Sequence, residues 1–301
     1  YLDAEDAYKA IVNIGKGSSF YELALYKLGW SLYKQELYEE GLHQFIALLD
    51  HKVESGIDFS QIDDDIEKQR IDDTFRVISF SFSYMGGPES VGDYFARFGS
   101  RVYVENVYSN LGEFYFEKRR FSDAALTYTS FVELYPFHRA SPRFDMRVIE
   151  IYKEGGFPKL VIDSNKEFAR KYGLKSEYWQ HFEVESYPEV LGYLKQTLKE
   201  LANHYHALYQ EKRFAHAKHE NFSEALIWYR EYLTSFPQDA DSPPINYQLA
   251  DLLLENRNFA EAAREYEHTA YGYAPHEQAS AAGYAAVYAY RQHYSGLTGI
   301  E

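Results

Sequence analysis

The stretch FSDAALTYTSFVELYP, residues 121–136, has a near-echo in FSEALIWYREYLTSFP, residues 222–237, and a third version, one residue longer, in FAEAAREYEHTAYGYAP, residues 259–275. In each, a small residue (Ala124, Ala225, Ala262) precedes an aromatic by four places, and a proline closes the phrase. A second phrase recurs ahead of two of them: YSNLGEFY, residues 108–115, and NYQLADLL, residues 246–253. Apolar residues at helical spacing in both phrases make each unit two helices. A lone helix pair leaves one apolar face uncovered, so neighbouring pairs must stack and share a core. The repeated phrase is therefore a packing unit, and the closing proline, which cannot continue a helix, sets the turn to the next pair.

Taken together, Tyr108, Leu111, Gly112, Tyr115, Ala124, Tyr128 and Pro136 resemble the tetratricopeptide repeat, whose period is about 34 residues, with Tyr108 at the usual Trp position. An earlier copy carries Leu28, Gly29, Leu32, Gly41 and Phe45, and looser units place Phe82, Val91 and Phe95, then Tyr152 and Val161. The resemblance implies an all-α fold: a right-handed α-solenoid of antiparallel helix pairs, about six units plus partial helices at each end. It would run as a single solenoid over residues 1–301, as a segment of a longer protein, with insertions near 51–70, 173–190 and 210–220. These insertions are expected to be loops or helix extensions. Ser122 and Ser223 fall where N-caps of second helices belong. Gly86, Gly87, Gly155 and Gly156 fall where an inter-helix turn is needed.

Composition narrows the function classes. The 301 residues carry a net charge of −15, which opposes nonspecific attraction to nucleic acid and anionic lipid. No apolar run is long enough for a transmembrane helix, so no direct membrane insertion is expected. The absence of cysteine removes disulfides and thiolate chemistry. The chain holds no glycine-rich phosphate loop, nucleophile elbow or HExxH motif. His204, His206, His216 and His219 lack a completing acid or thiol, and DDDIEK, residues 63–68, lacks the pattern of a calcium loop. The expectation is a non-catalytic chain with no cofactor and no metal.

What remains is a surface of 30 Tyr, 21 Phe and 3 Trp, residue types that suit protein interfaces. The family rule lines the groove with the second, fifth, ninth and twelfth positions of each unit. Carried over, it selects Leu23, Tyr26, Trp30 and Tyr33; then Asp73, Arg76, Phe80 and Ser83. Further along it selects Asn106, Ser109, Glu113 and Phe116, then Arg143, Met146, Glu150 and Lys153. Some members hold a partner's terminal carboxylate through Lys and Asn in the first helices and Asn, Lys and Arg further on. Asn110, Arg143 and Arg147 are similar to the last three, with Arg143 in place of Lys. Tyr26 and Trp30, or Arg76 and Phe80, stand at the first two, so this clamp is incomplete. Lys199 and Asn203 form a second partial match. The resemblance thus implies a protein–protein interaction scaffold that binds a partner's peptide or helix. GGFPKLVIDSNKEFARKYGL and EYEHTAYGYAPHEQASAAGY further resemble bacterial envelope-associated members, which implies a periplasmic or outer-membrane-associated place. The alternative is the recruitment region of a larger enzyme or polysaccharide-export protein.

Overall fold

A computed structural model describes residues 1–59 and 61–298, and these form two compact units, Tyr1–Val161 and Ile162–Glu301. Among the described residues the chain is all-α, without strand, a helical repeat in which substantial contacts join helices one or two places apart. The first unit comprises α1 (Leu2–Ile14), α2 (Tyr21–Tyr33), α3 (Tyr38–Glu54), α4 (Asp65–Met85), α5 (Pro88–Phe98), α6 (Val104–Glu117), α7 (Phe121–Leu134), α8 (Ser141–Glu154) and the start of α9 (Pro158–Tyr172). The second holds the rest of α9, then α10 (Pro188–Gln210), α11 (Lys218–Ser235), α12 (Ser242–Glu255), α13 (Phe259–Tyr271) and α14 (Ala279–Thr298).

Within a pair, the helices run antiparallel. The Gly112 backbone faces the Tyr128 ring, and Asn246 bonds Thr269 while Asp251, further along the same helix, accepts from Tyr266. A Cβ on Gly112 would stand 2.5 Å from the Tyr128 ring, and one on Gly29 would stand 2.6 Å from Phe45, so these helices approach as closely as glycine permits. One turn recurs inside five pairs. The second residue ahead of the second helix has φ in the left-handed region, at Glu36, Gly86, Arg119, Gly156 and Arg257. The following amide (Leu37, Gly87, Arg120, Phe157, Asn258) returns to the carbonyl five residues earlier, which satisfies the orphan carbonyls of the first helix. A different turn recurs between pairs. Ser141 and Ser242, both fully buried, bond back to the carbonyls of Tyr135 and Phe236, just before Pro136 and Pro237.

The second-helix anchors Ala124, Ala225 and Ala262 are wholly buried, as are Val91 and, nearly so, Gly41, while Val161 is only half-buried. Ala124→Leu or Ala225→Leu is therefore expected to cost about 1–3 kcal/mol by overpacking. Chemical denaturation showing both variants as stable as the parent would place these contacts elsewhere.

One expectation is corrected. Ser122 and Ser223 are not N-caps: α7 starts at Phe121 with Arg120 before it, and Ser223 lies inside α11 with its hydroxyl bonded to the His219 carbonyl. The left-handed turn feeds the chain directly into the second helix, so Ser122 is already in its first turn. The inserted stretches mix helix extensions and short helical turns with irregular connections. Residues 51–70 lengthen the end of α3 and the start of α4, with Ser60 outside the described residues. Residues 173–190 include 3-10 turns at Glu177–Gln180 and Val184–Ser186, and 210–220 includes another at Lys212–Ala217.

Candidate functional site

The inserted start of α4 shapes a cleft in the first unit. Asp64 caps this helix by accepting from the Ile66 and Glu67 amides. Its extra turns bring Arg70, Ile71 and Thr74 opposite Leu23 and Tyr26 of α2, with Leu48 and Leu49 of α3 as a floor. The resulting cleft encloses about 430 Å³, within the range that accepts a ligand or a partner's side chains. Its polar end is a buried lysine. Lys52 Nζ lies 2.5 Å from carboxylate oxygens of both Glu22 and Glu67, and Glu22 is also 3.6 Å from His51. Burial works to depress the Lys52 pKa, but the hydrogen bonds to Glu22 and Glu67 outweigh it and hold the ammonium charged.

Beside the cleft runs an aromatic band. Trp30 and Tyr33 meet edge to face at 5.4 Å, Tyr33 reaches Tyr84 at 6.3 Å, and Tyr84 stacks on Tyr38 at 5.1 Å. Phe80 meets Phe114 at 5.2 Å. Tyr26, Trp30 and Tyr33 are partly buried against the core, whereas Tyr84 is 66% exposed. The positional rule missed Tyr84 and Phe114, each one residue from a selected position; the aromatic-rich phrases ISFSFSYM and GEFYFE were the available signal.

The polar stretch is more occupied than its sequence suggests. Arg147 forks onto both oxygens of Glu113, each at 2.8 Å, bonds Glu150 at 3.0 Å, and lies 4.3 Å over the Phe116 ring. Tyr128 also donates to Glu113, at 2.6 Å. Burial raises the Glu113 pKa, yet the bonds from Arg147 and Tyr128 prevail and bring it below the usual carboxylate value. The Asn110 amide donates to the Asn106 carbonyl, and Arg76 pairs with Asp73. Arg143 is exposed on the same helix as Arg147. In the second unit, Lys199 pairs with Asp241 at 2.6 Å and Asn203 accepts from Tyr229 at 3.1 Å. Burial lowers the His204 pKa. Among the described residues, no group of three metal-ligating side chains converges, and no helix is long and apolar enough to cross a membrane.

No family model matches the chain, and no curated protein matches it either.

Proposed function

We propose that the chain is a tetratricopeptide-type, non-catalytic interaction scaffold whose first unit anchors an apolar segment of a protein partner. The observation that carries this reading is the cleft between α2 and α4, walled by Leu23, Tyr26 and Ile71 and continued by the aromatic band. Partly exposed rings on rigid helices offer large contact area at little entropic cost. The recurring helix-pair turns and the close approaches at Gly29 and Gly112 support the repeat type. We place the chain in a bacterial envelope assembly on the likeness of residues 155–174 and 265–284 to envelope-associated members.

Peptides selected against the chain from a displayed random library should share apolar residues. Leu23→Asp, at the half-exposed lip, should weaken them roughly tenfold or more, whereas Val102→Asp, at a 78% exposed site in the same unit, should not. Equal calorimetric affinities for the parent and both variants would remove the cleft as the binding site.

A further inference from the structure

Three buried tyrosines occupy one place in the repeat, four residues after Ala124, Ala225 and Ala262, and each sends its hydroxyl to a polar side chain on an earlier helix. The partners differ. Tyr128 donates to Glu113, at 2.6 Å. Tyr229 meets Asn203, at 3.1 Å, and His206, at 3.0 Å. Tyr266 donates to Asp251. Two repeats thus place a carboxylate there, and in the third the amide oxygen of Asn203 accepts the bond instead.

The two carboxylates are not equally compensated. Tyr128 and Tyr266, Glu113 and Asp251, and the turn residues Arg119 and Arg257 each lie 138 residues apart. The same offset carries the buried positions Phe144, Val148 and Ile151 of α8 onto Ala282, Ala286 and Ala289 of α14, all buried. Arg147, which neutralises Glu113, therefore corresponds to Ala285. Among the described residues Asp251 has no ion pair, and its acidic neighbour Glu255 is engaged by His206 at 3.5 Å and by Gln210 at 2.8 Å. Burial raises the Asp251 pKa, the bond from Tyr266 opposes this, Glu255 reinforces the rise, and the His206 ring nearby offsets it in small part. A half-buried carboxylate without a cation is costly, and an arriving cation relieves that cost. Ala285 is flanked along α14 by Tyr284 and Tyr288, 79% and 54% exposed, and Tyr247 packs on Tyr266 at 5.2 Å. Aromatic faces attract guanidinium and ammonium groups. α14 carries no acidic residue, in contrast to every other α-helix of the chain.

We propose that Asp251 receives a cationic side chain, an arginine or lysine of a partner segment, in the place that Arg147 fills within the first unit. The site belongs to the second unit and is independent of the α2–α4 cleft, so the two tests succeed or fail separately. The side chain would donate to Asp251 beside the small Ala285.

The probe is acetyl-Ala-Arg-Ala-amide, with the neutral isostere acetyl-Ala-citrulline-Ala-amide as control, titrated into the whole chain with isotope-labelled tyrosine rings and followed by NMR. The arginine peptide should shift the Tyr266 signals saturably and the citrulline peptide should not. Asp251→Asn should weaken binding about tenfold or more. Glu89→Gln, the same charge change at an exposed site in the first unit, should leave binding unchanged. Ala285→Arg should shift the Tyr266 signals without peptide, raise the thermal midpoint and block the peptide, because it supplies the cation in cis. Equal binding of both peptides would overturn the proposal. So would parent-like binding by Asp251→Asn or by Ala285→Arg.

Discussion

Phe131→Ala is expected to destabilise the first unit by about 3–5 kcal/mol, as truncation of a large buried aromatic does when the surrounding side chains cannot collapse into the space. Phe131 is fully buried, and its ring meets Tyr108 of α6 at 5.4 Å, Tyr135 and His138 of the following turn at 5.0 and 5.1 Å, and Phe144 of α8 at 4.7 Å. One side chain thus joins three helices and the turn between pairs. Because each of those partners is fixed by its own helix, inward relaxation is limited and most of the cavity should persist. Phe137→Ala, at a 42% exposed ring a few residues away, is the comparison and should cost under about 1 kcal/mol. Urea denaturation followed by helical circular dichroism measures both. Similar midpoints for the two variants would show that the repeat-to-repeat contact does not depend on this ring.

Lys52→Met is the second large expected effect, about 2–3 kcal/mol. Removing one member of a buried ionic cluster strands its partners, and the usual penalty of about 3–5 kcal/mol is reduced here because the Glu22 side chain remains 38% exposed. Methionine preserves the packing of the stem, so the loss should come from Glu22 and Glu67 facing each other without the shared ammonium. Adding Glu67→Gln should then restore a good part of the stability. A double variant as unstable as Lys52→Met alone would instead assign the loss to packing around the stem.

The sequence by itself determined the helix pairs and the residues that seat one helix on another. Leu111, Gly112, Ala124 and Tyr128 were legible because contacts within a pair recur every three or four residues along each helix, and three copies of one phrase repeat that periodicity. Turn positions at Gly86 and Gly156 were legible for a similar local reason, since left-handed backbone selects glycine. Glu36, Arg119 and Arg257 adopt the same conformation without that signal.

Only the tertiary structure decided how the polar side chains are spent. Arg147 reads in sequence as a free groove residue, yet it is held by Glu113, a partner 34 residues away whose approach depends on how α6 and α8 stack. Residues 51–70 read as an insertion, yet they supply Glu67 and Arg70 to the cleft because α3 and α4 extend alongside α2. Asp251 has the same place in its repeat as Glu113, and at the position of Arg147 the sequence of α14 carries Ala285. Helical periodicity is written into neighbouring residues, whereas the pairing of charges across helices depends on the register of elements that share no local pattern, and that register exists only once the helices are packed.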